Sequence, residues 1–134
     1  MPKYIEKVVA GTGHRPNKLG GYGKEIKDKL NRLAIVALEE QQPSFVVSGM
    51  ALGWDTALAF AARELQLPLC AAVPFRGQES RWPLQARKEY QGLLEYATDV
   101  VICSDGGYSP EKMKIRNRAM TDAADVLLAL WDGS

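Results

Sequence analysis

The sequence predicts an α/β fold of the doubly wound, Rossmann-like kind: a mostly parallel five-stranded sheet with helices on both faces. Short apolar runs alternate with helical patterns along the whole chain, which is the order typical of parallel α/β proteins. Some of these runs are apolar without alternation, as in strands buried on both faces. The chain has 134 residues, of which 46% are hydrophobic and 25% charged, and this is enough for one domain with a real core. We therefore expect a single domain over residues 1–134.

The first predicted strand, 8–10, leads into the loop Gly11-Thr12-Gly13-His14-Arg15-Pro16. A Rossmann dinucleotide fingerprint needs a third glycine near position 16 and a helix directly afterwards. Proline stands at position 16 and loop-forming residues continue to Gly23, so the motif for NAD fails. The His14–Arg15 pair is either a ligand contact or a solvated surface pair.

Residues 24–42 have apolar side chains spaced by three and four, which predicts an amphipathic helix. Pro43 ends it. The stretch 45–58 then organises the rest of the chain: an apolar strand, 45–47, meets a glycine-containing turn before a helix over 55–66. Strand, glycine turn and helix in this order direct backbone N–H groups at an anion.

We expect this turn to lie at the surface edge of the sheet, with Ser48, Gly49, Met50 and Gly53 as candidate ligand contacts. Ordinary loop glycines are the alternative. Asp55 begins the next helix, where it either stabilises the helix dipole or accepts a hydrogen bond from a ribose hydroxyl. The helix is apolar nearly all round, which predicts that it is well buried.

The third predicted strand, 68–73, ends at Pro74, and a loop with two arginines, an acid and two aromatic rings follows over 75–82. Aromatic and arginine side chains in one loop suit stacking on a base and binding a phosphate, so Arg81 and Trp82 are candidates for a partial lid. A surface loop anchored by its tryptophan is the alternative. Pro83 suits the first position of the next helix, 84–96.

The fourth predicted strand, 99–103, precedes a turn with Gly107 and Tyr108 as further candidates, and a helix then starts at Ser109-Pro110. At about 100° per residue, Arg116 falls inside the apolar arc of this helix. A buried arginine needs an anionic partner, which is either a ligand or an internal carboxylate such as Asp55 or Asp99. The last strand, 126–130, leads to the end of the chain.

Composition excludes several classes of protein. The formal net charge is +1 without a basic block, which gives no electrostatic reason to expect nucleic acid as a partner. One histidine and two separated cysteines do not form a zinc pattern, and we expect neither a metal nor a resident cofactor beyond a bound nucleotide or phosphate. No apolar run is long enough to span a bilayer and no signal peptide is evident, so we expect a cytoplasmic protein with no membrane partner.

Five ordered motifs together resemble the SLOG superfamily, which groups the DNA-processing DprA/Smf proteins with the LOG phosphoribohydrolases, and within it the small bacterial and phage proteins similar to YspA and YpsA. The motifs are GTGHRP, SGMALGWD, PFRGQESRWP, GGYSPEKMKIRNRAM and ADVLLALWDGS. The resemblance implies a Rossmann-like fold with a site for a nucleotide or a nucleotide-derived molecule. It carries ligand roles onto Gly11, Thr12, Gly13 and Arg15, Ser48, Gly49 and Asp55, and Arg116 and Asn117. Enzymes similar to LOG place a catalytic arginine in the Arg116 helix.

The resemblance is incomplete at the C-terminus. LOG-like enzymes have Pro-Gly-Gly-x-Gly-Thr and a catalytic glutamate after the last strand, whereas this chain ends at Trp131-Asp132-Gly133-Ser134. Similar proteins usually continue with a further helix, so we expect the chain to be truncated or its phosphate loop, with Asp132 and Gly133, to be completed otherwise.

Two functions remain open from the sequence. The first is a binding module that senses a nucleotide-derived ligand. The second is an N-glycosidic hydrolase of nucleoside monophosphates, in which Arg116 steadies the leaving group and Asp132 or Glu79 acts as the acid. The missing glutamate segment favours the first. The apolar 55–66 helix also leads us to expect at least a homodimer.

Overall fold

The computed structural model describes residues 7–13, 24–102 and 110–130. They form alternating strands and helices in the predicted order. The elements are β1 (Val8–Gly13), α1 (Lys24–Gln41), β2 (Phe45–Ser48), α2 (Trp54–Glu64), β3 (Leu69–Val73), α3 (Leu84–Tyr96), β4 (Asp99–Ile102), α4 (Pro110–Ala123) and β5 (Val126–Leu130).

The five strands form one sheet in the order β4-β3-β2-β1-β5, and every neighbouring pair is parallel. This confirms the predicted Rossmann-like fold. Strands β1 to β4 lie side by side in the order in which they occur along the chain, and β5 pairs with the other edge of β1. The strand order therefore reverses between β1 and β5, which is where parallel α/β folds most often bind ligands, at the carboxyl ends of the strands.

The face that carries α1, α2 and α3 holds the larger core. Helix α2 is the central element, and it packs against α1 as well as against β1, β2 and β3. Its apolar residues are almost all buried, as predicted. Gly11 permits this close approach, because a Cβ at that position would overlap the side chain of Leu58 on α2.

Helix α4 lies on the opposite face, over β1 and β3. Its Met120 packs in a small buried cluster with Ala10, Val47 and Ala72, one from each of three strands. Strand β4 forms the edge of the sheet, and Val100 and Val101 are 44% and 50% exposed there. Helices thus cover both faces, but unevenly.

Strand β1 is longer than the sequence predicts. Gly11, Thr12 and Gly13 were expected in a loop, yet they pair with Leu128, Ala129 and Leu130 of β5. The strand extends because a parallel neighbour is present on that side, which local sequence does not reveal.

In the described parts of the chain, no helix is both long enough and apolar enough to cross a membrane.

Candidate functional site

The turn after β2 is buried, contrary to the expectation that it lies at the surface. Ser48, Gly49 and Met50 are all inaccessible to solvent or nearly so. The Ser48 hydroxyl donates to the main-chain oxygen of Asp55 at 2.7 Å and accepts a hydrogen bond from the Met50 N–H at 3.1 Å. Met50 has a positive φ of 63°, which is uncommon for a residue with a side chain. The turn is covered because Asp55, Gln78 and Arg116, from three other segments of the chain, pack around Gly49.

Gly53 forms the N-cap of α2, with φ 93° and ψ −124°. This backbone conformation is essentially restricted to glycine. No side chain of the described residues caps the helix there, and the Thr56 hydroxyl donates instead to the Gly53 carbonyl at 3.1 Å. The backbone at the start of α2 therefore requires a glycine at position 53.

Arg116 reaches this turn from α4, on the other face of the sheet. It is only 4% exposed, which confirms the burial predicted from its angular position. Its Nη1 donates to the carbonyl oxygen of Gly49 at 2.6 Å. A charged donor to a buried carbonyl at this distance is a strong hydrogen bond.

Asp55 supplies a negative charge beside this guanidinium. Its side chain is 8% exposed. A Cβ at Gly49 would lie 2.7 Å from Cζ of Arg116 and 2.9 Å from Oδ2 of Asp55, so the two charged groups flank the space that a side chain would need. This arrangement matches the internal-carboxylate alternative for Arg116, and a ligand contact by Arg116 stays a prediction.

Gln78 and Tyr90 extend the cluster, and sequence reasoning missed both. Gln78 donates from Nε2 to the Gly49 carbonyl at 3.3 Å, so that oxygen accepts two hydrogen bonds. Tyr90, on α3, is buried. Burial raises its pKa, and so does the charge of Glu79, while the side-chain hydrogen bond with Gln78 and the nearby Arg116 charge act in the opposite direction. Gln78 could have been found, because it follows a strand at the same edge as the other candidates.

Trp82 behaves as the anchor of its loop. Its ring meets that of Tyr90 edge to face, with centroids 5.2 Å apart and an interplanar angle of 87°, and it packs against the larger core. Pro74 is fully buried below the loop, whereas Arg81 is exposed. The anchoring alternative is thus the one that the contacts support, and a ligand role for Trp82 or Arg81 stays a prediction.

Glu79, a tentative acid, contacts α3. Its Oε2 accepts a hydrogen bond from Gln91 Nε2 at 2.5 Å. Its Oε1 is buried and has no hydrogen-bond partner among the described residues.

Several predicted site residues fall outside the described parts of the chain. They are His14, Arg15, Gly107, Tyr108, Asp132 and Gly133. Thr12 and Gly13 are described as members of β1 and Asn117 as a member of α4, but the side chains of Thr12 and Asn117 are not described. Within the described ranges, no three acidic, cysteine or histidine side chains are grouped so that they could hold a metal ion.

Fold and site together define a Rossmann-like α/β protein with a buried polar cluster at the carboxyl edge of its sheet. A family model describes the more particular class: the chain belongs to the YspA SLOG family, whose model matches residues 9–134. Among curated relatives, a UPF0398 protein of Bacillus cereus is 32% identical and one of Bacillus pumilus is 33% identical. Each alignment covers 94% of this chain and 74% of the relative.

A solved structure shares the fold. It is the S. aureus MnaA–UDP co-structure, which superposes with a TM-score of 0.52 at 12% sequence identity. The match covers 92% of this chain but only 43% of that protein. At this identity the likeness establishes the fold alone.

Proposed function

We propose that the protein binds a nucleotide or a nucleotide-derived small molecule at the carboxyl edge of its sheet, as a sensor or binding module. The observation that carries the proposal is the convergence of Arg116, Asp55 and the Gly49 turn where β2 ends. Buried charged groups are expensive to keep in a fold. Charged groups held together in buried positions are enriched at functional sites.

The parts of the site have separate roles in this proposal. The first turn of α2 begins at Gly53, which no side chain of residues 7–13, 24–102 and 110–130 caps, and helix N-termini bind phosphate through their N–H groups and dipole. Asp55, in that same turn, accepts hydrogen bonds from ribose hydroxyls. Arg116 holds the turn through the Gly49 carbonyl and is a positioning residue as well as a source of positive charge.

Two comparisons support the chemistry of this ligand. The chain belongs to the SLOG family, and the S. aureus protein MnaA, which shares the fold, was solved together with UDP. Parallel α/β folds bind such ligands at the edge where this cluster lies. The identity of the base and the form of the phosphate are left to experiment.

A thermal-shift panel tests the proposal. UMP, AMP, UDP and ADP are compared with ribose 5-phosphate and with inorganic phosphate alone. A ligand at 100 times its Kd stabilises the folded state by about 2.7 kcal/mol, so we expect a clear rise in Tm with at least one nucleotide and little with phosphate. No rise with any nucleotide would overturn the proposal.

The same samples separate binding from hydrolysis. Chromatography after incubation measures free base, and we expect none above the protein-free control. Release of base would instead identify an N-glycosidic hydrolase, the second function that the sequence left open.

A further inference from the structure

A cleft runs along the outer side of α2, between α1 and α3. Its volume is about 420 Å³, within the usual range for small-molecule sites. The floor is formed by Thr56, Phe60 and Arg63 of α2, and apolar side chains such as Leu30 and Leu93 form the walls. Much of the lining is therefore apolar, and four charged residues also line the cleft: Lys27, Asp28, Arg63 and Glu89.

This cleft adjoins the site described above, because Gly53 lines the cleft and also caps α2, but the floor of the cleft lies on a different side of α2 from Asp55. At about 100° per residue, Asp55 lies roughly 100° around α2 from the mean direction of the three floor residues. Lys27 of α1 and Glu89 of α3 form an ion pair across the two walls. Both residues line the cleft, so the pair partly closes it towards solvent.

Arg63 is the unusual group in this cleft. Its guanidinium lies 5.6 Å from the centre of the Phe60 ring, and Nη1 would be 3.7 Å from a Cβ at Gly92 of α3. Among the described residues no carboxylate pairs with it, whereas Lys27, the other cation that lines the cleft, is already paired with Glu89. An anion that entered the cleft would find the guanidinium of Arg63 available to pair with it.

We propose that the cleft binds an amphipathic small molecule with an apolar body and a single anionic head group, such as an aliphatic or aromatic carboxylate. The apolar body lies against Phe60, Leu30 and Leu93, and the carboxylate pairs with Arg63. Charge complementarity selects the head group, since Arg63 has only the Phe60 ring as a partner among the described residues. The proposal goes beyond the nucleotide site and does not depend on it.

Three probes test the head-group preference: octanoate, 1-octanol and octylammonium. Each has eight carbons in an unbranched chain, and they differ in the charge of the head group. Isothermal titration calorimetry with the full chain should show octanoate bound about tenfold more tightly than 1-octanol, because a hydrogen bond to a charged group is worth a factor of ten or more. Octylammonium should bind most weakly. Equal affinity for all three, tighter binding of octylammonium, or no binding of any probe would overturn the proposal.

Variants locate the site. Arg63→Gln should reduce octanoate affinity about tenfold, to that of 1-octanol, whereas Arg32→Gln, an exposed arginine of α1 outside the cleft, should leave it unchanged. Ala86→Leu, which fills the cleft from α3, should weaken octanoate and 1-octanol alike. Far-UV circular dichroism and melting curves check that each variant is folded. Octanoate affinity that is unchanged in Ala86→Leu would contradict the assignment of the site to this cleft. A binding signal that arises only because octanoate makes two chains associate would contradict it as well.

Discussion

Replacing Arg116 by alanine tests the buried cluster most severely. The change removes a charged hydrogen bond of 2.6 Å to the Gly49 carbonyl, and such a bond is worth about 1.5–3 kcal/mol. It also leaves the Asp55 carboxylate, 8% exposed, without its cationic neighbour. Removing one partner of a buried charge pair usually costs about 3–5 kcal/mol. Both charges are almost fully buried, so solvent screening does little to reduce this figure, and we expect a loss near 3 kcal/mol.

Urea denaturation of the ligand-free protein measures this loss. The matched control is Arg118→Ala, which removes an exposed arginine from the same helix and should change the free energy of unfolding by less than about 0.5 kcal/mol. The double variant Arg116→Ala/Asp55→Ala should recover part of the stability, because it also removes the buried carboxylate that has lost the neighbouring positive charge of Arg116. Equal stability of the Arg116 and Arg118 variants would refute the internal pairing and favour a ligand as the main partner of Arg116.

Three further outcomes follow from close contacts and burial. Gly11→Ala should destabilise the fold by about 1–3 kcal/mol through overpacking, since its Cβ would overlap Leu58; urea denaturation that shows no loss would contradict the close approach. Gly49→Ala should displace Arg116 and Asp55 and lower the denaturation midpoint, and a crystal structure with Arg116 unmoved would contradict this. Tyr90 has a folded-state pKa above its ordinary 10.0 because it is buried, so the unfolded chain loses the phenol proton first and stability falls as pH rises above 10. Tyr90→Phe should flatten this alkaline fall in unfolding free energy, and an unchanged slope would show that Tyr90 does not cause it.

Local sequence was sufficient for most of the fold. Helix α1 follows from apolar residues spaced by three and four and ends beside Pro43, and α3 begins after Pro83, as predicted. These features are decided within a few residues of the chain. The extension of β1 to Gly13 was missed because it depends on β5, more than a hundred positions away.

The site was less predictable for the same physical reason. The angular position of Arg116 within its helix predicted its burial, but its acceptor, the Gly49 carbonyl, is separated from it by 67 positions. Gly11 was predicted to contact a ligand, which stays a prediction, and its close approach to Leu58 was not foreseen. A glycine that faces a helix and one that faces a ligand have the same local sequence signal, and only the packed structure separates them.

Calorimetric titration into the wild-type chain, Asp55→Asn and Glu64→Gln tests the central claim most directly, with the four nucleotides of the thermal-shift panel as ligands. Glu64 is an exposed acid at the other end of the helix that carries Asp55, so it is the matched control. The proposed site predicts that at least one nucleotide binds once per chain, with affinity reduced about tenfold or more in Asp55→Asn, the usual worth of a charged hydrogen bond, and unchanged in Glu64→Gln. The absence of saturable binding of every nucleotide, or equal affinities in all three proteins, would contradict a nucleotide site at this edge of the sheet.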